Sequence, residues 1–367
     1  MRYYIIAGEA SGDLYGARII QEINSIDSNS EIRFWGGDKM VSSGGTLVKH
    51  IKSLAFMGFY EVLKNLRSIL NNLSLCKKDI LSFNPDRIIY IDYPGFNLRI
   101  SNWAKKKGFK NFYYISPQIW AWKESRIKII KKSVDKLFVI FPFEKDYYLK
   151  KHNMETEYYG HPLIENISSF EPNSNFLSDN NIPTDKPIIS LLPGSRKQEI
   201  KSMLPIFITL ANHFDKYTFV IAGVKNIDIE YYNQFLKEGI YMVTNSTYDL
   251  LSNSYASIVT SGTASLECSL FNIPQVVCYK TSLLSFLIGK IFIKLEYISL
   301  VNIILNKGVV KELIQNELND KNILDEFISI TNTDTRKRIM GDYSKIYNIL
   351  KRDNTSFKIV NSIVSFK

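Results

Sequence analysis

The sequence repeats one pattern throughout: a short apolar run, a turn containing glycine or proline, and a segment with helical periodicity. The runs "RYYIIA", "DRIIYID", "NFYYIS" and "KLFVIFP" are rich in β-branched and aromatic residues and too short for helices. Apolar strands separated by helices are typical of βαβ units, in which the strands are parallel and buried on both faces. The pattern therefore predicts an α/β fold.

A polar segment from about Glu171 to Lys186, with no periodicity, interrupts this pattern. The alternation then restarts with "IISLLPGSR", "YTFVIAG", "IYMVT", "ASIVTSGT" and "PQVVCYK". We therefore predict two doubly wound Rossmann-like domains, residues 1–170 and 171–345, that face each other across a cleft. A helix within residues 346–367 is expected to pack back on one of them, with the N-terminal domain favoured.

Composition narrows the class of protein. The chain has 367 residues, 45% of them apolar, which is enough for full cores and excludes a disordered chain. The net charge is +10, and the chain has no basic tail. This charge favours an anionic partner: nucleic acid, acidic lipid or a phosphorylated substrate. A lysine-rich composition of the whole chain is the alternative explanation. The three cysteines form no CxxC pair, which is typical of a reducing cytosol.

No segment is expected to cross a membrane. The N-terminus turns from strand to glycine-rich loop too early for a signal peptide. The most apolar stretch, "LLSFLIGKIFI" from Leu283, is far shorter than the roughly 20 residues of a membrane span and contains Lys290.

The first loop, "AGEASGD", follows the first predicted strand. Gly8 and Gly12 permit tight backbone geometry at the carboxyl end of the strand, where open α/β sheets bind ligands. Ser11 or Asp13 can cap the next helix, whose N-terminal amides favour an anion. A capped turn explains these residues but not Glu9, which we therefore take as a candidate ligand contact. The loop is neither GxGxxG nor a P-loop.

Asp92 ends the strand of "YIDYPGFN". A carboxylate at this position can act as general base on a hydroxyl. It can equally cap the turn, and the sequence leaves both roles open.

Two loops of the second domain are candidates for anion binding. In "LLPGSRKQEI", the amides of Gly194 and Ser195, a helix N-terminus and the Arg196 guanidinium are expected to converge, as a diphosphate requires. A surface charge on a capped helix is the alternative for Arg196.

The other loop, "VTSGTASLECSL", follows the predicted strand "ASIV". Ser261, Gly262 and Thr263 start the next helix there, which suits phosphate. Glu267 lies one turn further and can hold ribose hydroxyls, or merely complement the helix dipole.

No metal or cofactor is predicted. The four histidines share no metal-ligand spacing, and no DxD pair or HExxH is present. His161, in "YGHPLIE", is the one histidine placed like a site residue, although a structural role is the alternative that we favour.

The stretch "ISPQIWAW" places Trp120 and Trp122 two residues apart, directly before a basic run. Such a combination occurs in nucleic-acid platforms, in membrane anchors and in the walls of substrate clefts. No nucleic-acid recognition motif accompanies it, so we expect no nucleic-acid partner. A wall of the substrate cleft and a structural plug remain as alternatives.

Taken together, these stretches resemble the lipid-A-disaccharide synthase family. The matching pieces keep the family's order: "AGEASGD", "MGFYEVL", "IDYPGFN", "YYISPQIWAW", "FPFEKDYY", "GHPLIE", "LLPGSR", "SGTASLE" and "YISLVNIIL". The resemblance implies a metal-independent, inverting glycosyltransferase of the two-domain GT-B type. It would transfer 2,3-diacylglucosamine from UDP to the 6-hydroxyl of 2,3-diacylglucosamine 1-phosphate, forming a β-1,6-linked disaccharide.

The resemblance also implies roles by position. Asp92 matches the family's essential aspartate, and Glu9, Ser11 and Asp13 match its N-terminal loop. Asp92 and Glu9 are assigned to catalysis, and Ser11 and Asp13 to substrate binding. Met57 falls in the matched "MGFYEVL" and counts as a substrate contact, together with Trp120, Trp122 and His161. The UDP side comprises Gly194, Ser195, Arg196, Ser261, Gly262, Thr263, Glu267 and Asn302. Gly95 and Val301 depart from the usual aspartate and proline of the family.

Acylated substrates imply a membrane surface. We expect a peripheral protein on the cytoplasmic face of the inner membrane of a Gram-negative bacterium, and leave a homodimer open. Candidate contacts are residues 59–75 and 283–293 with Lys280, Lys290 and Lys294. The alternative functions are a UDP-N-acetylglucosamine 2-epimerase, a lipid-II glycosyltransferase and a UDP-sugar-binding protein without turnover.

Overall fold

The computed structural model describes residues 1–54, 66–225, 227–281, 286 and 295–367. They form two compact units. The first comprises Met1–Glu165 with Arg352–Lys367, and the second comprises Asn166–Lys351. The domain limits 1–170, 171–345 and 346–367 stay a prediction.

The first unit is built on a parallel sheet of seven strands within the described residues. Its spatial order is β3-β2-β1-β4-β5-β6-β7. The strands are β1 (Arg2–Ala7), β2 (Glu31–Gly36), β3 (Thr46–His50), β4 (Arg87–Ile91), β5 (Asn111–Tyr114), β6 (Lys136–Val139) and β7 (Glu157–Tyr158).

Helices follow the strands, as the alternation predicts. In the first half of the chain these are α1 (Ala10–Ile26), α2 (Asp38–Ser42), α3 (Leu66–Phe83), α4 (Pro94–Lys106), α5 (Ile127–Ser133), α6 (Pro142–His152) and α7 (Pro162–Ser168). Every residue of β4 and β5 is buried, because helices cover both faces of a doubly wound sheet.

The order of strands creates a switch point between β1 and β4. The chain leaves β1 for β2 on one side and later returns to place β4 on the other, so connections diverge there. The two strands are parallel, with Ala7 opposite Ile91. Their carboxyl ends are therefore level, and the loops that begin at Gly8 and Asp92 start side by side. Ligands of open α/β sheets bind at such a point.

The second unit repeats this architecture. Its six described strands, all parallel, lie in the order β10-β9-β8-β11-β12-β13. They are β8 (Ile188–Leu192), β9 (Thr218–Gly223), β10 (Ile240–Thr244), β11 (Ser254–Thr260), β12 (Gln275–Tyr279) and β13 (Glu312–Ile314). The switch point is between β8 and β11, where Leu192 lies opposite Val259. The predicted pair of doubly wound parallel sheets is confirmed.

The remaining helices complete both units. They are α8 (Phe176–Asp179), α9 (Lys197–Ala211), α10 (Ile229–Asn233), α11 (Thr247–Ser252), α12 (Thr263–Leu270), α13 (Leu300–Leu305), α14 (Asp320–Thr331), α15 (Thr333–Leu350) and α16 (Thr355–Val364). Short 3₁₀ turns occur at Ile51–Ser53, Glu124–Arg126 and Gln315–Glu317.

The C-terminal helix α16 belongs to the first unit. It packs on α1, and its residues Ile359, Val360 and Ile363 are buried. Polar contacts fix its start, where the Ser356 amide donates to the Glu165 carboxylate at 2.9 Å. The Arg87 guanidinium donates to the Phe366 carbonyl beyond its end. The helix is thus held at both ends by residues of the N-terminal half.

Two segments singled out as membrane contacts lie only partly within the described residues. Residues 59–65 and most of 283–293, with Lys290 and Lys294, lie outside the described residues. Helix α3 buries Leu73, Cys76 and Ile80 in the core of the first unit. Elsewhere on the helix Leu70, Leu75 and Leu81 are exposed. Within the described ranges, no helix combines the length and the apolar character that a membrane crossing requires.

Candidate active site

The turn after β4 has an unusual backbone. Asp92 and Tyr93 are both left-handed, with φ of +45° and +50°. Each such residue costs of order 1–3 kcal/mol and tends to occur at functional sites. The Asn97 amide stabilises the turn by donating to the Asp92 carbonyl at 2.7 Å, and the Tyr113 hydroxyl donates to the same carbonyl at 2.7 Å. Asn97 also donates to the carbonyl of Ile6 in β1, so it links the two strands of the switch point.

The Asp92 carboxyl group is poised to exchange a proton near neutrality. Burial, followed by the negative charge of Glu9, raises the pKa of Asp92 to about 7, while the Tyr93 backbone and Arg126 oppose this rise. A base with a pKa close to the working pH is the most effective in general base catalysis. Gly8 allows the loops to approach, because a Cβ there would clash with the Tyr93 ring.

Replacing Glu9 with glutamine removes a negative charge that raises the pKa of Asp92. We expect the acidic limb of kcat/KM against pH, which reports the free enzyme's base, to move to lower pH. The matched control is Glu31→Gln, which removes an exposed carboxylate at the start of β2. An acidic limb that stays in place in Glu9→Gln would contradict electrostatic coupling of the two carboxylates.

The other acidic residue of the first loop serves the fold. Asp13 is buried, and its carboxylate accepts hydrogen bonds from the amides of Gly37 at 2.6 Å, Lys39 at 3.1 Å and Met40 at 3.1 Å. It thereby ties α1 to the turn between β2 and α2, and these contacts do not favour its assignment to substrate. Ser11 lies half-buried in the first turn of α1, where its substrate role stays a prediction.

The two tryptophans of "ISPQIWAW" lie in different environments. The Trp120 indole donates to the Glu144 carboxylate at 2.9 Å, and its ring meets Phe143 edge-on at 5.0 Å. Glu144 is fully buried and also accepts from the amides of Ile140 and Phe141, both at 3.0 Å. Trp120 is therefore pinned to the turn between β6 and α6, as expected for a structural plug.

Glu144 was not among the sequence-based candidates, although it lies in the matched stretch "FPFEKDYY". Burial raises its pKa to about 7, against the hydrogen bonds from Phe141, Trp120 and Ile140. The available signal was a glutamate at the third position of a helix that begins with proline, which is typical of a capping box.

Trp122, by contrast, is 42% exposed. The Lys123 ammonium lies 4.2 Å from the centre of its ring and the Arg126 guanidinium 5.3 Å from it. Cations at such distances interact favourably with an aromatic face. The exposed tryptophan is thus part of a positively charged surface.

His161 is buried beside Phe141, with ring centres 5.2 Å apart. Burial lowers its pKa to about 3, so the ring is neutral at physiological pH, and its Nδ1 accepts from the Leu163 amide at 3.2 Å. These contacts favour the structural role. Met57 lies outside the described residues. Gly95 is exposed, and a side chain there would meet nothing within 4 Å among them.

The loop after β8 is arranged to bind an anion, and a side chain from the first turn of the following helix, α9, occupies it. The amides of Ser195 and Arg196 donate to one oxygen of Glu199 at 3.0 and 3.2 Å. The Arg196 guanidinium donates to the other oxygen at 2.9 Å. Gly194, with φ of +102°, leaves room for this carboxylate, which lies 2.5 Å from where a Cβ would be. Glu199 was not among the sequence-based candidates.

The loop after β11 is open at its centre. Gly262 and Thr263 are exposed at the start of α12, while the Ser261 hydroxyl donates to the Ile298 carbonyl at 3.1 Å. Glu267, one turn further, accepts from the Tyr248 hydroxyl at 3.1 Å, and burial raises its pKa. Since β8 and β11 are neighbours, the two loops leave the sheet at the same switch point.

Asn302 is satisfied within the fold. Its amide donates to the Val310 carbonyl and the Glu312 carboxylate, both at 2.9 Å. Its carbonyl accepts from the amides of Val309 and Val310 at 2.8 and 3.0 Å. With the residue 1% exposed, these four bonds fix α13 to the segment before β13. They do not favour a side-chain contact with UDP.

Replacing Asn302 with alanine is expected to destabilise the second unit by roughly 2–4 kcal/mol, because buried partners lose their hydrogen bonds. UDP affinity of the folded fraction should remain unchanged. Denaturant unfolding and calorimetric UDP titration measure the two quantities, with the exposed Asn316→Ala as control. Undiminished stability together with lost UDP affinity would assign the side chain to the nucleotide instead.

The described part of the chain contains no group of three or more His, Cys, Asp and Glu side chains arranged for a metal ion. Cys76, Cys268 and Cys278 are buried and unpaired. Burial raises the pKa of each thiol, so they behave as small apolar side chains.

Comparison with known proteins adds to this geometry. A family model described as lipid-A-disaccharide synthetase matches residues 3–360. The chain is 34% identical over 368 residues to the lipid-A-disaccharide synthase of Coxiella burnetii (strain Dugway 5J108-111), covering 98% of each. It is 35% identical over 353 residues to that of Syntrophus aciditrophicus (strain SB), covering 93% of this chain and 91% of the relative.

Among solved structures, UDP-GlcNAc 2-epimerase from Neisseria meningitidis bound to UDP-GlcNAc is similar over the full length of both chains. The TM-score is 0.70 and the identity 14%, so the likeness concerns the fold alone. Two doubly wound parallel sheets with this likeness define the GT-B fold, as expected. The extent of the family match and the identity to full-length relatives go further: the chain belongs to the lipid-A-disaccharide synthetase family.

Proposed function

We propose that the chain is an inverting glycosyltransferase that joins two acylated glucosamines. The donor is UDP-2,3-diacylglucosamine and the acceptor is 2,3-diacylglucosamine 1-phosphate. The products are the β-1,6-linked, tetra-acylated disaccharide 1-phosphate and UDP. The observation that supports this most is the register of the central strands in each unit. In the first unit the carboxyl ends of β1 and β4 are level, which places the loops of Glu9 and Asp92 side by side. In the second unit the ends of β8 and β11 are level, which does the same for the two loops proposed to bind the diphosphate.

On the acceptor side, Asp92 takes the proton of the 6-hydroxyl. The hydroxyl oxygen then bonds to the anomeric carbon of the donor from the face opposite UDP. The bond from that carbon to the diphosphate oxygen breaks with its electron pair, and UDP leaves. The raised pKa of Asp92 supports this role, since a carboxylate at the usual value of about 4 would be a weaker base.

On the donor side, the developing charge falls on the diphosphate. This charge is stabilised by the amides of Ser195 and Arg196, by the Arg196 guanidinium, and by the N-terminus of α12 at Gly262 and Thr263. Their present partner, Glu199, supports the assignment because it shows that this loop accommodates an anionic group. Glu267 is assigned to the ribose hydroxyls.

The test is incubation of purified protein with both acylated substrates in neutral detergent micelles. Mass spectrometry should identify the tetra-acylated disaccharide 1-phosphate, and the anomeric coupling constant in NMR should identify the β linkage. Conversion of UDP-GlcNAc to its 2-epimer without acceptor would favour the epimerase. Transfer to a lipid-linked muropeptide would favour the lipid-II enzyme, and UDP binding without turnover a binding protein.

We further propose that the protein works as a peripheral protein on the cytoplasmic face of the inner membrane, where acylated substrates and UDP-sugars meet. The net charge of +10 and the exposed leucines of α3 beside Lys77 and Lys78 support this. Co-sedimentation with phosphatidylglycerol but not phosphatidylcholine vesicles is the expected result. A homodimer remains an open expectation.

A further inference from the structure

Two cations lie against the exposed ring of Trp122, and a third lies near one of them. Lys123 and Arg126 lie against its ring at 4.2 and 5.3 Å. Arg99, exposed on α4, is close enough to act electrostatically on Lys123. We call Arg99, Trp122, Lys123 and Arg126 the Trp122 cluster.

The Trp122 cluster holds positive charge that no carboxylate of the described chain neutralises through an ion pair. Burial, then the charges of Arg126 and Arg99, lowers the pKa of Lys123. Burial also lowers the pKa of Arg126. Other lysines of the same unit are paired, for example Lys151 with Glu124 at 2.8 Å. Three cations that repel one another are stabilised when an anion binds between them.

The Trp122 cluster lies beside Asp92. Arg126 interacts electrostatically with Asp92. The topology explains this proximity, because Ile91 of β4 lies opposite Tyr114 of β5. The loop that contains Asp92 and leads to α4 begins at the end of β4. The loop that contains Trp122 begins at the end of the neighbouring strand β5, at the same edge of the sheet. The cations and the proposed base therefore share one end of one sheet.

We propose that the Trp122 cluster binds the phosphate of the acceptor sugar, with Arg99, Lys123 and Arg126 contacting its oxygens and Trp122 holding Lys123 and Arg126 in position. This inference rests on the proposed function. The acceptor carries its phosphate and its reacting hydroxyl on one hexose, so the phosphate site must lie within one sugar of the base. The partly buried guanidinium of Arg126 distinguishes this cluster from lysines on the surface of α5, such as Lys128, which is exposed.

The shared chemistry, a phosphate group, also occurs in anionic lipid headgroups, and the test separates the two sources. Lys123→Gln and Arg99→Gln are each assayed in neutral detergent micelles with 2,3-diacylglucosamine 1-phosphate and with the same sugar lacking the phosphate. We expect KM for the phosphorylated acceptor to rise about tenfold in each variant, as for loss of one charge-assisted contact.

For the acceptor without phosphate, kcat/KM should stay within about twofold of the unmodified protein, because the lost contact is already absent. KM for the UDP donor should not change. Lys123→Arg should restore most of the affinity for the phosphorylated acceptor. Lys128→Gln, which removes an exposed cation from the same surface, serves as the matched control.

Equal losses on both acceptors, or an unchanged KM for the phosphorylated one, would overturn the proposal. So would a KM effect in Lys128→Gln as large as in Lys123→Gln. Loss of binding to phosphatidylglycerol vesicles without any change in KM would assign the cluster to lipid headgroups instead. If the unmodified protein forms no disaccharide from either acceptor, the proposed function itself fails, which is a different outcome.

Discussion

Replacing Asp92 with asparagine is expected to lower kcat by about 10²- to 10⁴-fold, the range typical of a lost general base. UDP affinity should remain unchanged, because the groups proposed for the diphosphate belong to the other unit. Asparagine is the appropriate substitution, since it tolerates the left-handed backbone that Asp92 adopts at φ +45°. Single-turnover kinetics and calorimetric UDP titration measure the two effects.

The same variant should be more stable than the unmodified protein at pH 8. The pKa of Asp92 is raised to about 7 in the folded state, whereas an unfolded chain has the ordinary value of about 4. The folded state is therefore favoured while the group is protonated, and this contribution is lost as pH rises through 7. An uncharged amide avoids that loss, so melting temperatures should differ at pH 8 and converge near pH 4.

The control is Asp146→Asn, which removes an exposed carboxylate paired with Lys150 at 3.0 Å. It should change neither turnover nor the pH dependence of stability. Retained turnover in Asp92→Asn would remove Asp92 as the base. Lower stability at pH 8 would show that the carboxylate contributes more to the fold than to a reaction.

The alternation of strands and helices predicted both sheets, and the reason is physical. Apolar runs of five or six residues that alternate with helical segments are typical of a parallel sheet whose two faces are covered by helices. The carboxyl ends of its strands then lie at one edge, so loops distant in sequence meet there. Glu9 and Asp92 are 83 positions apart, yet Ala7 and Ile91, close before them, are partners in the sheet.

The roles of individual polar residues could not be predicted in the same way. Asp13 and Asn302 lie in stretches that match the family, but their partners are mainly backbone groups whose burial depends on the finished fold. Glu144 and Glu199 show the converse. Each is the third residue of a helix and accepts hydrogen bonds from backbone amides at the start of that helix. The local sequence does contain this capping pattern, but the pattern does not indicate a substrate contact.

Replacing Arg196 with glutamine is expected to lower kcat by about 10²- to 10³-fold, the usual effect of removing a donor aimed at charge that develops in the transition state. UDP affinity should also fall, since the guanidinium would meet the diphosphate in both the bound state and the transition state. Arg196→Lys should recover only part of the rate, because an ammonium cannot donate two parallel hydrogen bonds to a phosphate. Steady-state kinetics and UDP titration give both quantities.

Two further variants show whether Arg196 acts through the diphosphate. Lys197→Gln removes the adjacent exposed cation, which lies over the Tyr231 ring at 5.4 Å, and should leave kcat unchanged. Glu199→Gln retains a group that can cap α9 but removes the charge now bound by Arg196 and the two amides. UDP should therefore bind more tightly to Glu199→Gln, because the diphosphate no longer competes with a carboxylate. Weaker UDP binding in that variant would mean that Glu199 orients Arg196 for the nucleotide, and an unchanged kcat in Arg196→Gln would remove the guanidinium from the reaction.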